Sequence, residues 1–178
     1  MTEYLKIVFQ NLEPVRIAVA KDRAFCFYYE ESLELLEAMG AELVPFSPLS
    51  NSCLPQADAL LLGGGYPELY AQALSENQPM RESIKKAIQQ GMPAIAECGG
   101  FLYLGEALEG SDGISYPMAG VLKGKGYRTP KLQRFGYAVL TAKQDSLLGP
   151  AGSRFKAHEF HYWDSTNPGE AFQAEKPL

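Results

Sequence analysis

Pro93-Ala94-Ile95-Ala96-Glu97-Cys98-Gly99-Gly100-Phe101-Leu102 passes from a short apolar run to a glycine pair and then into an apolar-periodic segment that continues through Leu108. This order predicts strand, tight turn and helix, with Cys98 at the apex. A nucleophile at such an elbow stands clear of the sheet. The first turn of the helix behind it aims free backbone N–H groups and positive dipole character at the sulfur, which favours the thiolate. Gly99 and Gly100 permit the sharp turn and a close approach by substrate. A buried free cysteine beside a glycine turn has the same local pattern, so this stretch alone leaves both readings open.

Outward from the elbow, the chain has the size and composition of one soluble domain with one core: 178 residues, 46% hydrophobic and 21% charged. No apolar run reaches the roughly 18 residues that span a bilayer, and the N-terminus lacks the basic and apolar regions of a signal peptide. A cytoplasmic protein with no membrane partner is expected. Cys26, Cys53 and Cys98 are odd in number and lack metal-ligand spacing, so free thiols and no metal site are expected. A net charge of -5 argues against nucleic acid as partner. The charge is uneven: from Gly113 to Gln144 there is no acidic residue, while Lys123, Lys125, Arg128, Lys131, Arg134 and Lys143 make the window basic. Such a window is either a solvated hairpin or a patch for an anionic ligand or acidic surface, and its length favours the patch.

Met1 to Pro14 has no clear period and reads as a lead-in or linker, leaving residues 15–178 as the domain. Arg16 to Ala20 reads as a central parallel strand, Lys21 to Phe27 as a loop at its carboxyl end, and Tyr29 to Met39 as an amphipathic helix stopped by Gly40. Glu42 to Phe46 and Ala59 to Leu62 read as further strands, and Met80 to Gln90 as a second helix stopped by Gly91. Strand and helix alternate, which implies an α/β fold with a parallel sheet covered on both faces. Beyond Leu108, additional strands are expected around Val121-Leu122, over Phe135 to Thr141 and over Arg154 to Tyr162. Asp164 to Leu178 is polar and contains proline, and no strand is expected there.

In an open α/β sheet, ligands bind at the carboxyl ends of the strands, where both glycine turns, Gly63 to Gly65 and Gly99 to Gly100, are expected. If their strands are adjacent, the turns meet. The combination suits acyl chemistry: Cys98 attacks a carbonyl and backbone N–H groups of both turns receive the oxyanion. A phosphate loop at Gly63 to Gly65 is disfavoured because no Gly-Lys-Ser/Thr follows. A base is also needed, and the only histidines are His158 and His161. On a strand, residues three apart point to opposite faces, so only one of them can reach Cys98. Their spacing also fails the zinc-protease pattern.

The elbow Ala96 to Phe101, the turn Gly63-Gly64-Gly65-Tyr66-Pro67-Glu68, the stretches Arg16 to Ala20 and Ala24 to Tyr29, and His158-Glu159-Phe160-His161-Tyr162 together resemble the C-terminal class I glutamine amidotransferase domain of the cobyrinate a,c-diamide synthase family. The resemblance covers Val15 to about Trp163. It implies a flavodoxin-like open sheet with additional C-terminal strands. It further implies that Cys98 attacks the side-chain amide of L-glutamine, that His161 rather than His158 activates it, and that Gly64, Gly65 and Gly99 form the oxyanion hole and bind substrate. No cofactor is implied for this chain. ATP and Mg2+ belong to an N-terminal synthetase domain or subunit, which activates a carboxylate of a corrin precursor such as cobyrinate. Many class I amidotransferases place a glutamate two residues after the histidine. Trp163 stands there instead, so a Cys-His dyad is expected, with Glu159 as a candidate orienter. The absent ATP domain and closing strand suggest a fragment or split subunit.

Two other readings remain. One is a cysteine enzyme of the DJ-1 or PfpI type, which shares the elbow. The other is a non-catalytic interaction domain of amidotransferase fold. The acceptor, whether cobyrinate, its hydrogenated aerobic counterpart or nickel sirohydrochlorin, is not readable from this stretch of chain.

Overall fold

Arg16-Ile17-Ala18-Val19-Ala20 forms β1, with Ala18, Val19 and Ala20 buried. In the computed structural model, which describes residues 14–132 and 134–176, β1 lies inside a four-stranded parallel sheet. The short runs read as strands become its neighbours. The order is β3 (Glu42–Phe46), β1, β4 (Ala59–Leu62), β6 (Ala94–Ala96), with Ile17 opposite both Leu43 and Ala59, and Leu61 opposite Ile95. Leu60 and Leu62 point into the core with Leu74, Met80 and Ile84 of the flanking helices. Truncating one such leucine costs roughly 2–5 kcal/mol.

The helices follow the strands. α1 (Glu30–Ala38) carries Glu30 and Glu31 in its first turn and buries Leu33. A 3-10 turn (Pro67–Tyr70) leads into α2 (Ala71–Glu76) and α3 (Gln78–Gln89). α3 starts two residues before the expected Met80, because Pro79 suits the first turn, where no N–H is required. α4 (Gly99–Leu104) follows the elbow.

Several expectations are corrected. The segment after the elbow is not helical through Leu108: α4 ends at Leu104, Gly105 takes an extended conformation, and Ala107–Glu109 becomes β7. Val121 and Leu122 are not a strand, since both their N–H groups donate to the Leu104 carbonyl and cap the helix. The loop after β1 contains a short strand, β2 (Phe25–Phe27), paired with β5 (Gly64–Gly65). The segment after Asp164 also completes two sheets. β12 (Trp163–Ser165) pairs with β9 (Lys125–Arg128), which joins β7 and β8 (Ser115–Pro117). β13 (Phe172–Glu175) pairs with β10 (Arg134–Ala142), which also pairs with β11 (Arg154–His161). The lead-in read over Met1 to Pro14 lies, but for Pro14, outside the described residues.

Candidate active site

The elbow forms because β6 runs out against β4. The Glu97 N–H donates to the Leu62 carbonyl at 2.9 Å, and the Gly100 N–H to the carbonyls of Gly63 at 3.1 Å and Glu97 at 2.8 Å. A Cβ at Gly100 would lie 2.3 Å from the Leu62 carbonyl oxygen, so only glycine lets α4 start this close to the sheet. Cys98 absorbs the turn at φ 48°, ψ -111° and is, among the described residues, the one non-glycine with positive φ. Such backbone strain persists only where the surroundings over-determine it, and it concentrates at functional sites.

The two glycine turns meet. A Cβ on Gly99 would lie 2.7 Å from Pro67 Cδ and 3.3 Å from the Gly65 nitrogen, and one on Gly64 would lie 3.5 Å from Cys98 Cβ. Gly65 is equally confined, since its Cβ would fall 2.1 Å from the Ala24 carbonyl oxygen. The backbone N–H groups of Gly99 and Gly65 favour the Cys98 thiolate. They do not prevail. Crowding around the sulfur is the larger influence and raises the thiol above its ordinary value, and the carboxylates of Glu68 and Glu97 raise it further. The pull toward the thiolate expected from the start of the helix is thus the smaller influence here, since a six-residue helix does not outweigh desolvation.

The turn is held from behind by Tyr28, whose hydroxyl donates to the Ala20 carbonyl and accepts the Gly63 N–H at 2.9 Å. Burial pushes this phenol up to about 12. Asp22 fixes the loop between them by accepting from the N–H groups of Ala24 at 2.8 Å and Phe25 at 3.1 Å, and from the Ser47 hydroxyl at 2.7 Å. Sequence reasoning quoted Tyr28 within the stretch Ala24 to Tyr29 and placed Asp22 in a loop, but gave neither residue a role. An aspartate just after a buried strand, two and three residues before the amides it caps, was the available signal. Glu68 was quoted but given no role; it is half-buried, and desolvation raises its carboxyl.

His161 and His158 lie on opposite faces of β11, as alternation requires: His161 is half-buried and His158 exposed beside Phe135 and Tyr137. His161 Nδ1 lies 2.7 Å from the Trp163 carbonyl oxygen. A carbonyl only accepts, so Nδ1 carries the proton and, in the neutral ring, Nε2 keeps its lone pair. Glu159 shares the His161 face but is not its orienter, because its carboxylate pairs with Arg134 at 3.4 Å. The Trp163 carbonyl takes that place, and the Trp163 indole is itself anchored to the Glu109 carbonyl at 2.9 Å. Among the described residues no hydrogen bond joins His161 to Cys98. The structure thus brings Cys98, Gly64, Gly65 and Gly99 together and orients His161 separately. Cys26, Cys53 and Cys98 are all free and exposed, so desolvation at Cys98 comes from the atoms packed around its sulfur and not from enclosure of the whole residue.

An elbow cysteine faced by amides from two adjacent glycine turns can be compared with known proteins. Residues 16–175 match the CobB/CobQ-like glutamine amidotransferase domain. The chain belongs to this family. Among curated relatives of this CobB/CobQ-like domain, cobyrinate a,c-diamide synthase of Streptococcus sanguinis is 51% identical over 152 residues, 85% of this chain and 33% of the relative. That of Caldanaerobacter subterraneus subsp. tengcongensis is 50% identical over 149 residues, 83% of this chain and 33% of the relative. The chain therefore spans about a third of the length of the relatives it matches. PurLQS from Thermotoga maritima shares the fold of the CobB/CobQ-like domain, with a TM-score of 0.65, 16% identity and coverage of 93% of this chain and 77% of that one. No helix of the described residues is long and apolar enough to cross a membrane.

Proposed function

We propose that the chain is the glutaminase part of an ATP-dependent cobyrinate a,c-diamide synthase acting in the cytoplasm, releasing ammonia from L-glutamine for amidation of corrin-ring carboxylates. The observation that carries the reading is the meeting of the two glycine turns at Cys98, where a Cβ on Gly99 would lie 3.3 Å from the Gly65 nitrogen and one on Gly64 would lie 3.5 Å from Cys98 Cβ. Backbone N–H groups of turns that meet beside the cysteine are suited to an oxygen developing charge on the attacked carbon, and Gly64 lines the same approach.

The steps follow from that geometry. His161 takes the Cys98 thiol proton at Nε2, and the thiolate adds to the amide carbon of glutamine, placing an oxyanion against the two N–H groups. Collapse of this adduct breaks the C–N bond. The proton held by His161 goes to the departing nitrogen, which leaves as ammonia. Water then attacks the thioester, His161 takes its proton, and a second oxyanion collapses to glutamate and Cys98. A thiol held above its ordinary value suits this course, because the nucleophile then appears only when a base and an acceptor are in place. ATP and Mg2+ would act in the synthetase partner, which would present the activated corrin precursor. Curated relatives named cobyrinate a,c-diamide synthase, each about three times the matched length, support that assignment.

A glutamine analogue with an electrophilic side-chain carbon tests the reading by intact-mass spectrometry. One adduct at Cys98 is expected, blocked by glutamine and absent in Cys98→Ser. Equal slow labelling of Cys26, Cys53 and Cys98 would overturn it.

A further inference from the structure

The outer face of the β10–β11 pair is aromatic and uncovered. In register, Phe135 stands opposite Phe160 and Tyr137 opposite His158, and the rings meet edge to face at 5.9 Å and 5.3 Å. Tyr162 extends the stripe, 6.2 Å from Phe160. Phe135 is 61% exposed, Tyr137 72%, Phe160 55% and Tyr162 49%. Single exposed apolar residues are ordinary, but contiguous rings held in water mark a contact surface, and aromatics are the residues that interface centres enrich. Period-two alternation makes the placement systematic: the buried Ala138 and Ala142 of β10 and the half-buried Phe155, Ala157 and His161 of β11 face the other way, and among the described residues β11 lies at the edge of its sheet.

We propose that this face docks the ATP-binding synthetase part of the synthase. The inference rests on the chain being the glutaminase part of a larger enzyme and adds where the two parts meet. Two observations select this occupant. The relatives carry about twice as much chain again beyond the matched third, so a cognate partner of sufficient size exists in the same polypeptides. Arg154 and Lys156 also continue the outer face of β11 next to the rings, so the complementary surface is apolar with carboxylates beside it. The β10 half of this face, with Phe135 and Tyr137, falls inside the acid-free window Gly113 to Gln144 singled out in the sequence, whose other basic residues include Lys125 and Arg128 on β9.

Hydroxyl-radical footprinting of the 178-residue chain, alone and co-expressed with the synthetase part of its own synthase, tests the proposal. Oxidation of Phe135, Tyr137 and Phe160 is expected to fall about fivefold in the complex, while Tyr29, 80% exposed on the first helix, stays reactive. The double variant Phe135→Ser, Tyr137→Ser is expected to weaken the complex about tenfold or more with unchanged thermal unfolding, as loss of two central aromatics does. Unchanged oxidation in the complex overturns the proposal. So does protection that appears in the chain alone as its concentration rises, which would make a second copy the occupant. Labelling of Cys98 by the glutamine analogue in the same samples separates the two readings. An unprotected face with reactive Cys98 sinks the docking surface alone, and a protected face with inert Cys98 sinks the glutaminase reading alone.

Discussion

The Tyr28 hydroxyl accepts the N–H of Gly63 at 2.9 Å, and its ring lies so close that a Cβ on Gly63 would sit 2.6 Å from it. The tyrosine is therefore the back wall of the glycine turn that meets the Cys98 elbow. Tyr28→Phe keeps the ring but leaves the Gly63 N–H and the Ala20 carbonyl without their partner. A loss of about 1–3 kcal/mol in urea unfolding is expected. Slower labelling of Cys98 by the glutamine analogue should accompany it.

The backbone at Cys98 predicts an inverted order of substitutions. At φ 48° a side chain costs about 1–2 kcal/mol relative to glycine, whereas in relaxed backbone glycine is the weaker residue by about 0.5–1 kcal/mol. Cys98→Gly is accordingly expected to unfold at a higher temperature than Cys98→Ala, both being inactive. The reverse order would show that the elbow carries no strain.

Titration of the nucleophile has a definite sign. Burial, then Glu68 and Glu97, hold the Cys98 thiol above its ordinary value against the two N–H groups. Its alkylation rate by iodoacetamide should reach half-maximum above the pH typical of free cysteine, and Glu68→Gln should move that midpoint down by removing a negative neighbour. For stability, a raised folded-state value means that the contribution is fully present below the ordinary thiol pKa and is lost as pH rises through the Cys98 value. Cys98→Ser should remove that alkaline decline.

The imidazole assignment has a direct comparison. His161→Ala is expected to abolish ammonia release from glutamine, and His158→Ala, altered on the exposed face, to leave the chain's own turnover unchanged. Ammonia measured by coupled assay decides between them. Retained turnover in His161→Ala would place the base elsewhere.

A buried side chain offers a stabilising change. The Tyr103 hydroxyl is enclosed without a hydrogen-bond partner among the described residues, and its ring packs 5.4 Å from that of Phe25. Tyr103→Phe removes the orphaned group and keeps the packing, so a gain of about 1 kcal/mol is expected in calorimetric unfolding.

What the sequence disclosed was whatever depends on nearby residues. Apolar runs such as Ala59 to Leu62 are short and bounded by turns, so the parallel strands and their helices were readable, as was the meeting of two glycine turns at neighbouring strand ends. The opposite facing of His158 and His161 followed from alternation alone. The missed features depend on distant partners. Nothing in Tyr28 itself says that it will span Ala20 and Gly63, and the carbonyl that orients His161 belongs to Trp163, whose place is fixed by Glu109. Val121 and Leu122 have strand composition, yet their amides are taken by Leu104. The desolvation that raises the Cys98 thiol was not legible, because helix dipole is a local property and desolvation is not.

The two faces of β11 carry separate duties on alternate residues, Phe160 outward and His161 inward. Inserting or deleting one residue between Arg154 and Phe160 would exchange them, turning the imidazole to solvent and a phenyl ring toward the interior. Evolution of the outer surface is thereby restricted to replacing side chains at fixed length: this strand can change what it greets, but not its reading frame.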